Sequence, residues 1–492
     1  MSTERLSASL ILTRGPIDDP EVYLVRRSPD LKFFGDFWVF PGGNVCNLDY
    51  FDPDDDLMQV LKRCAVRETF EETGLLSTTL YRDFSNEEKL SLKRSILKNE
   101  NHWQNVLAAQ SENLTHINPV FRIITPPFSP LRYDTQFFHL HSDSDETPQI
   151  DHHEIIQDCY MRPADAIKAW NNGEIKIAPP ALHLLSLLEI GKIDNFATLA
   201  QKSDTALQQG DLHQIYFSPG IFIAPLSTDT IPPATTTNTL IVGSNTLYIV
   251  DPATPHAQEQ QRLFDQLDRM LESGCELKGI LLTHHHPDHV GAVNELSQRY
   301  QLPVHAHPLC YERIQPGYIV GKALDEGDII DLGSAPDGSA NWHLSVLHTP
   351  GHAADHLCFI DSRYRSAIVG DMLSTVSTIL IDPPEGHMNS YLASLQRLLN
   401  CNINALYPAH GPAKADGSRL IEYYLKHRAE REKATLDALS HSPQAIETIL
   451  PKVYADIPER VYPLAKRSLL AELIKLEEDG LCYRSDERWL LR

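Results

Sequence analysis

The sequence lacks any apolar run that approaches the roughly 20 residues of a membrane-spanning helix. Its first residues, Met1-Ser-Thr-Glu-Arg-Leu6, also lack the basic start and the apolar stretch of a secretory signal. We therefore expect a protein that has no membrane partner and that works in the cytoplasm.

Cysteine is sparse and irregularly spaced. Eight cysteines are scattered over 492 residues without a C-x-x-C pair, and several, such as Cys358, lie inside apolar strand-like runs. This is the pattern of buried free thiols in a reducing compartment rather than of a disulfide framework or a zinc–cysteine site.

Basic residues are also in short supply. The chain has 43 Lys and Arg against 66 Asp and Glu, which gives a formal net charge of −23 at pH 7. Because non-specific binding to nucleic acid is mostly electrostatic, this charge disfavours RNA as a partner and favours a small-molecule substrate. The length and a hydrophobic fraction of 42% predict several globular domains.

The first segment, residues 1–190, alternates strands and helices. Apolar runs at Leu6–Thr13 and Val22–Arg26 predict strands, and helices are predicted near 57–73 and at 180–190. Residues 191–212 are polar and weakly periodic, so we predict a linker there.

In the central segment, residues 213–428, four apolar strands each end in a turn that carries His or Asp. These strands are Gly279–Thr283, Leu344–Leu347, Ser366–Gly370 and Ala405–Pro408. Polar residues that gather at the carboxyl ends of strands are typical of sites in layered α/β folds.

The last segment, residues 429–492, is predicted to be mostly helical. Leu469, Leu473 and Leu476 recur at helical spacing, and Gly480 is suited to end that helix. A short β-ribbon that ends at Trp489 is predicted to follow.

The most informative stretch is Thr283-His-His-His-Pro-Asp-His289. Imidazole and carboxylate are the natural ligands of Zn²⁺ and related metals. His284 and His286 can serve one metal while Asp288 and His289 reach a second. A solvated polar turn is the alternative interpretation of this cluster.

Three later residues favour the metal. His352, Asp371 and His410 each follow their own apolar strand, in Thr349-Pro-Gly-His352, Gly370-Asp371 and Ala409-His410-Gly411. All of them could therefore converge on one edge of a sheet.

Together these motifs resemble the metallo-β-lactamase fold superfamily, and the resemblance implies a four-layered αββα sandwich. It assigns His284, His286 and His352 to a first metal, Asp288, His289 and His410 to a second, and Asp371 to a bridge between two Zn (or Mn or Fe) ions. Asp251, after the strand 247–250, matches an aspartate that supports the ligands. The resemblance implies a hydrolase, because bound metals lower the pKa of water towards ~7 and stabilise developing negative charge. Asp288 is in addition a candidate catalytic residue that orients the nucleophile.

Five further histidines lie near these motifs, and we expect them to be structural or to support the ligands. Among them His356 is also a candidate for substrate contact. The five are His285, His305, His307, His348 and His356.

Two later stretches, Asp382–Tyr391 and Tyr424–Glu432, resemble the β-lactamase-like-protein-2 branch of that superfamily. Its members include single-stranded-RNA endonucleases and thioesterases of polyketide pathways, and they end in a small winged-helix-like domain. Residues 436–492 contain eight basic against ten acidic residues, which argues against a strong nucleic-acid reader. We therefore interpret the tail as a packing module or a lid over the substrate.

A second constellation lies near the N-terminus. Glu68, Glu71 and Glu72 fall on one face of a helix, and carboxylates crowded in this way suit Mg²⁺ or Mn²⁺. An ordinary acidic helix face is the alternative. With Arg67, Gly74 and the upstream Val39-Phe-Pro-Gly-Gly43 loop, the pattern resembles the Nudix hydrolases, which implies an α/β/α fold over roughly residues 1–190. The resemblance implies that the three glutamates bind metal and that Glu71 and Glu72 are catalytic. It also implies that Arg67 braces the helix and that the reaction is hydrolysis of a diphosphate bond.

The sequence departs from the plain Nudix motif in two ways. Asp49 stands where the first motif glutamate is expected, and about ten extra residues near 50–57 precede the helix. A similar insertion, together with the stretch 132–138, resembles the coenzyme A diphosphatase subgroup, although Cys46 stands where that subgroup commonly has Asp. Glu154 is a candidate further ligand or base, with a plain surface glutamate as the alternative.

The sequence thus predicts an α/β multidomain, bifunctional hydrolase. A Nudix domain (1–190) precedes a linker (191–212), a metallo-β-lactamase-like domain (213–428) and a winged-helix-like tail (429–492). The central domain is expected to hydrolyse a thioester, an ester or a phosphodiester, and the first domain a diphosphate bond. The expected small-molecule substrates are a nucleoside-diphosphate derivative or an acyl-coenzyme A-like molecule. Two other readings stay open: an RNA endonuclease with nucleotide clean-up, and a protein in which one half is a ligand sensor.

Overall fold

The fold is described from a computed structural model that covers residues 4–80, 82–110, 112–150 and 153–492. The chain divides into two compact units, Met1–Pro219 and Gly220–Arg492. Within the described ranges, no helix combines the length and the apolar character that a bilayer crossing requires. All eight cysteines are free.

The first unit is built on a mixed sheet. Its strands are β1 (Arg5–Arg14), β2 (Glu21–Arg27), β3 (Trp38–Val39), β4 (Gly42–Asn44), β5 (Asn118–Ile124), β6 (Tyr133–His141) and β7 (Ile155–Met161). A further short strand, β8 (Tyr216–Ser218), lies outside this sheet. The order across the sheet is β3-β2-β1-β6-β5, with β4 paired to β1 and β7 to β2. Strands β1 and β6 run parallel and the other pairs are antiparallel.

Helices cover both faces of this sheet. They are α1 (Leu57–Thr73), α2 (Ser77–Leu80), α3 (Asn86–Leu97), α4 (His102–Ala108), α5 (Pro163–Asn171) and α6 (Pro179–Gln208). Side chains alternate along β1, so that Leu10 and Leu12 pack into the core under α1 while Ile11 packs into the core under α5 and α6. The unit is therefore layered helix–sheet–helix.

Helix α1 lies where the sequence places it, and both of its ends have a local cause. The Asp56 carboxylate accepts a hydrogen bond from the Gln59 amide at 3.2 Å, which caps the first turn. Gly74 ends the helix in the left-handed region, at φ 71°. Residues 57–73 thus stand as a fixed helix under the Gly42–Gly43 loop.

The prediction of a linker at 191–212 is wrong for most of its length. Helix α6 continues from Pro179 to Gln208, with non-helical dihedrals only at Lys192 (φ 48°). Phe196 and Ala200 are fully buried in the second core of this unit. A few apolar residues on one face of this polar segment stabilise the helix, because tertiary packing supplies most helix stability.

The second unit contains two stacked sheets. The first has the order β14-β13-β12-β11-β10-β9 and the second the order β15-β16-β17-β18-β19-β20. The strands are β9 (Ile221–Ser227), β10 (Thr236–Gly243), β11 (Thr246–Val250), β12 (Glu276–Leu281), β13 (Pro303–Ala306), β14 (Ile319–Ala323), β15 (Ile329–Gly333), β16 (Trp342–His348), β17 (Leu357–Asp361), β18 (Ser366–Gly370), β19 (Ala405–Pro408) and β20 (Lys414–Ala415). The four strands predicted for this segment coincide with β12, β16, β18 and β19, although β12 ends two residues early.

Helices form the outer layers of this unit. They are α7 (Ala257–Glu272), α8 (Pro287–Val290), α9 (Val293–Tyr300), α10 (Pro308–Tyr311), α11 (Met388–Leu399) and α12 (Gly417–Ala438). Helices α7 and α9 pack on the first sheet, while α11 and α12 share a core with β17 and β18 of the second. The layers therefore run helix–sheet–sheet–helix, the αββα order expected from the sequence.

The C-terminal tail forms a small core of its own. It consists of α13 (Ile446–Val453), α14 (Tyr462–Glu478) and the hairpin β21 (Cys482–Ser485) and β22 (Arg488–Leu491). Leu469, Leu473 and Leu476 are fully buried in it, and Gly480 follows the end of α14 at φ 75°. The boundary predicted between 428 and 429 falls inside α12, which is continuous because its apolar residues serve both the second sheet and the tail.

Candidate metal centre and carboxylate helix

The turn after β12 carries the first part of the histidine cluster. Leu282 and Thr283 leave the strand, residues 284–286 form the turn, and Pro287 opens the short helix α8. The Asp251 carboxylate holds this turn from β11, since it accepts hydrogen bonds from the Thr283 amide (2.8 Å) and hydroxyl (2.6 Å). The ligand candidates are therefore presented by a rigid strand end rather than by a free loop.

The structure gathers the first predicted ligand set. His286 Nδ1 lies 2.9 Å from His284 Nε2 and 3.0 Å from His352 Nε2. His352 comes from the loop after β16, where its Nδ1 lies 2.9 Å from the Leu380 carbonyl oxygen. That contact fixes the ring so that Nε2 faces the other two histidines.

The second predicted set is gathered beside it. Asp288, His289 and His410 place one ligand atom each within 4.8 Å of one another, and His410 Nε2 lies 3.5 Å from Asp288 Oδ2. His410 follows β19, and its Nδ1 lies 3.1 Å from the Thr236 carbonyl oxygen. Two strands of different sheets thus bring this set together.

Asp371 stands between the two sets, with one oxygen towards each. Its Oδ2 lies 3.5 Å from His352 Nε2, while its Oδ1 lies 3.3 Å from His410 Nε2 and 3.7 Å from His289 Nε2. Two ligands of one tetrahedral zinc are roughly 3.3–3.5 Å apart, so these spacings fit a carboxylate that bridges two metals.

Two buried polar atoms in this centre have no hydrogen-bond partner. They are His289 Nε2 and Asp371 Oδ1. Buried polar atoms without partners are costly, and here both face the space between the ligand sets. The residues present therefore fit a pair of divalent metals.

The electrostatics of the cluster also suit cations. Burial and the neighbouring imidazoles hold the pKa of His284 well below its ordinary value and lower the pKa of His286 to about 4, so both are neutral, the form that binds metal. Burial opposes a charge on His289, but the Asp371 and Asp251 carboxylates raise its pKa well above the ordinary value. The carboxylates of this site therefore favour binding of a cation between them.

His356 takes the supporting position expected for the neighbouring histidines, and its complete burial does not favour the additional expectation of a substrate contact. It is fully buried behind Asp371, where its Nε2 accepts a hydrogen bond from the Asp371 amide at 3.1 Å and its Nδ1 lies 2.8 Å from the Thr349 hydroxyl. Sequence spacing could not show this, because the direction of a side chain in a turn depends on backbone geometry.

The other neighbouring histidines have structural contacts. His285 pairs with the buried Asp355 at 2.8 Å, and His305 accepts a hydrogen bond from the Lys322 amide at 2.9 Å. His307 and His348 stack at 4.6 Å with planes 14° apart. Although Asp325 lies close to that pair, the lone pairs of parallel stacked rings do not converge on one ion.

One contact with the ligands was not foreseen from the sequence. Glu385 Oε2 lies 3.4 Å from His286 Nε2, the ring nitrogen that faces away from the metal site, and Arg313 pairs with the other oxygen of Glu385 at 2.7 Å. The Asp382-Pro-Pro-Glu385 segment has no periodicity, so nothing in the sequence marked this glutamate as a partner of a ligand.

Asp251 provides the first testable prediction. Its Oδ2 lies 2.9 Å from His289 Nδ1 and thereby sets the nitrogen that faces Asp371. We expect Asp251→Asn to weaken zinc binding about 10- to 100-fold, because partners of this kind orient the ligand and raise its basicity. Competition with a chromogenic chelator measures the change, and the exposed Asp331→Asn serves as control. Unchanged zinc affinity would contradict the assignment.

In the first unit, Arg67 holds the carboxylates of helix α1. Its Nε and Nη2 donate to both oxygens of the buried Asp49 (2.8 and 2.9 Å), and Nη1 donates to Glu68 (2.9 Å) and Glu71 (2.8 Å). Arg67 thus braces the helix as expected. Asp49, in the place of the first motif glutamate, binds this arginine.

The glutamates lie against the glycine loop. The Glu72 carboxylate accepts a hydrogen bond from the Gly42 amide at 3.1 Å, and a Cβ on Gly43 would meet the Glu68 carboxylate at 2.4 Å. Among the described residues, however, these glutamates form no ligand set within 4.8 Å of one another, unlike the histidine cluster. Glu154 is exposed, and its carboxylate lies near enough to Glu72 to contribute to the raised pKa of that group.

Burial of these carboxylates predicts a pH dependence. Burial, and then repulsion by Glu68, raises the pKa of Glu72 from 4.5 to about 8. The folded state binds this proton more tightly than the unfolded state does, so the free energy of unfolding falls as pH rises. With EDTA present to remove divalent metals, the first unit should therefore become less stable between pH 4.5 and 8. Mg²⁺ and Glu72→Gln should each flatten the profile, measured by calorimetry of the full chain. A flat profile in EDTA would contradict the prediction.

Comparison with known proteins identifies two parts of the second unit. Residues 231–410 match the family profile described as metallo-beta-lactamase superfamily, and residues 445–489 match the beta-lactamase associated winged helix domain.

Relatives match about half of this chain. The Caenorhabditis elegans beta-lactamase-like protein 2 homolog is 27% identical over 253 residues, 50% of this chain and 80% of the relative. An atrochrysone carboxyl ACP thioesterase of Pseudocercospora fijiensis is 28% identical over 50% of this chain and 70% of its own length.

One solved structure resembles part of this chain weakly. The NUDIX hydrolase from Alicyclobacillus acidocaldarius shows 25% identity and a TM-score of 0.33, and the match covers 39% of this chain and 93% of that one. A TM-score of this size does not establish a common fold. For the second unit the assignment is clear: it contains a metallo-beta-lactamase domain, which implies a binuclear zinc or similar metal centre, followed by a winged-helix domain, and the protein is a metal-dependent hydrolase.

Proposed function

We propose that the second unit hydrolyses an ester or thioester of a small molecule at a two-metal centre. The observation that carries the proposal is the position of Asp371, whose two oxygens face His352 on one side and His289 and His410 on the other. His284, His286 and His352 would hold one metal, and Asp288, His289 and His410 the other. When bound, the metals would supply Lewis acidity that activates water and polarises the scissile bond.

The residues around the centre have distinct roles in this proposal. Asp371 keeps the two ligand sets at a fixed separation, and Asp251 fixes the ring of His289. Asp288 lines the cavity and is partly exposed, so its carboxylate is placed to orient the attacking water and accept its proton.

The cavity at this centre supports a small-molecule substrate. It has a volume of about 1210 Å³, and many of its lining side chains are apolar. Those from the core include Ile231, Ile314 and Ile379, and those from the tail include Val461 and Leu464. The Pseudocercospora fijiensis relative, by its name a thioesterase, points to the same choice.

We propose a second activity for the first unit, the Mg²⁺- or Mn²⁺-dependent hydrolysis of a diphosphate bond in a nucleoside-diphosphate or coenzyme A-like substrate. Support comes from Arg67, which holds Glu68 and Glu71 beneath the Gly42–Gly43 loop while Glu72 contacts that loop directly. In a diphosphatase of the Nudix type these carboxylates would bind the metals that neutralise phosphate charge, with Glu71 and Glu72 nearest the chemistry. Both halves would then act on acyl-coenzyme A-like molecules.

One substrate panel tests both activities. Acyl thioesters, coenzyme A, nucleoside-diphosphate derivatives and single-stranded RNA are offered to the wild type, Glu71→Ala and His286→Ala with Zn²⁺ and Mg²⁺ present. We expect His286→Ala to lose only thioester hydrolysis and Glu71→Ala to lose only diphosphate hydrolysis. Salt-sensitive RNA cleavage that disappears in His286→Ala would refute the thioester proposal, and intact coenzyme A and nucleotides would refute the diphosphate proposal.

A further inference from the structure

Arg428 is a buried cation on the wall of the catalytic cavity. Its side chain is 4% exposed, and it lines the same cavity as the ligand candidates His286 and Asp371. One guanidinium nitrogen donates to the Ile379 carbonyl oxygen at 2.5 Å, while Nε has no partner. The guanidinium carbon also lies 5.4 Å from the centre of the Tyr391 ring, so the Nε donor is the group left without a partner.

No carboxylate neutralises this guanidinium. Across the described residues, no Asp or Glu oxygen lies within the 4.0 Å of an ion pair with Arg428. Glu472, buried on the tail helix α14, acts on Arg428 only at longer range. Burial of a charge without a paired partner is costly, so a protein retains such a group where a ligand supplies the counter-charge.

A second buried nitrogen without a hydrogen-bond partner lies beside it on α12. His427 lines the cavity, and its buried Nδ1 has no hydrogen-bond partner. Arg431, one turn further along, also lines the cavity, but its guanidinium is occupied by Asp456 (2.8 and 2.6 Å) and the Val453 carbonyl oxygen. The free binding capacity of this wall is therefore concentrated at His427 and Arg428.

We propose that Arg428, assisted by His427, binds an anionic group on the part of the substrate that is not cleaved. The group is a carboxylate or a phosphate, since the guanidinium fork matches the paired oxygens of either. The inference rests on the proposed ester or thioester hydrolysis, because the site opens into the same cavity as the metal centre. Apolar residues such as Val461 and Leu464 line the same cavity, and a less polar surrounding strengthens the attraction between opposite charges.

The experiment compares substrates that differ only in the anion. In the first arm, glutaryl and pentanoyl thioesters of the neutral thiol N-acetylcysteamine differ by one carboxylate. In the second, acetyl-phosphopantetheine and acetyl-pantetheine differ by one phosphate. We expect the wild type to prefer the anionic member of one pair by about 10- to 100-fold in kcat/KM, the effect of one charged hydrogen bond. The arm that shows the preference identifies the anion.

Variants on α12 test whether Arg428 and His427 cause the preference for the anionic substrate. Arg428→Gln should abolish it, Arg428→Lys should keep part of it because the charge remains, and His427→Gln should reduce it. Lys426→Gln is the matched control, since Lys426 is exposed on the same helix. Hydrolysis of the neutral thioesters by Arg428→Gln shows that the centre is intact. A preference that survives in Arg428→Gln, or none in either arm, would overturn the inference and leave the proposed function standing.

A binding measurement decides the case in which no thioester is cleaved. Calorimetric titration of the full, metal-loaded chain with glutarate and with inorganic phosphate should give at least tenfold weaker binding of one of them to Arg428→Gln than to the wild type. If the wild type and Arg428→Gln bound each anion with equal affinity, any bound anion would lie at the metals, and the inference would be refuted. If the wild type showed no thioesterase activity, the proposed function would be refuted independently of the inference.

Discussion

Asp371→Ala should lower thioester hydrolysis by at least about 10³-fold and leave the chain with fewer than two tightly bound metals. The reason is the bridging position of this carboxylate, since its removal takes one ligand from each set. A loss of several kcal/mol of charge stabilisation corresponds to that factor, at 1.36 kcal/mol per tenfold change in rate. Steady-state kinetics and elemental analysis of dialysed protein measure the two effects.

The control for this variant is His441→Ala, which removes an exposed histidine of the tail. It should keep both metals and full activity. Asp371→Ala protein that retained two tightly bound metals and near wild-type rates would refute the bridging assignment. Diphosphate hydrolysis by the first unit should be unaffected in either variant.

Arg67→Ala should destabilise the first unit by roughly 3–5 kcal/mol, the usual cost of removing one partner from a buried ion pair. Arg67 is 4% exposed and satisfies Asp49, which is fully buried, as well as Glu68 and Glu71. Without it, three carboxylates would face one another with no cation. Hydrogen exchange of the helix 57–73 in the full chain measures the loss of stability locally.

Arg14→Ala is the matched control, because Arg14 pairs with Glu21 at the surface of the same unit. Exposed pairs contribute about 0–1 kcal/mol, so this variant should exchange like the wild type. Similar exchange rates for Arg67→Ala and Arg14→Ala would show that the arginine does not brace the helix. Addition of Mg²⁺ should recover part of the stability lost in Arg67→Ala, since a divalent cation replaces some of the missing charge.

That these histidines and aspartates lie close together could be predicted from the sequence, because each of them directly follows an apolar strand. His352, Asp371 and His410 each follow a buried strand, so pairing within the second sheet brings these three together. The turn 284–289 follows β12 of the first sheet, and the stacking of the two sheets places it against them. The helix 57–73 was predictable for a similar reason, since Asp56 and Gly74 mark its ends in the sequence.

Other features depend on contacts that no local pattern encodes. The side chain of His356 lies behind Asp371, and Glu385 meets His286 from a loop without periodicity. Helix α6 runs through the predicted linker because Phe196 and Ala200 fill a core that forms only once the sheet is in place. Tertiary packing decided each of these cases.

The uninterrupted helix α12 restricts how this chain can vary in length. Each residue added to a helix turns everything beyond it by about 100° and advances it by 1.5 Å. Tyr424 packs in the core of the second sheet and Ala438 in the core of the tail, both on this one helix. A single insertion or deletion between them would therefore turn one of the two cores out of register. Chains that keep both should tolerate substitutions in this segment but conserve its residue count, or change it only by whole heptads.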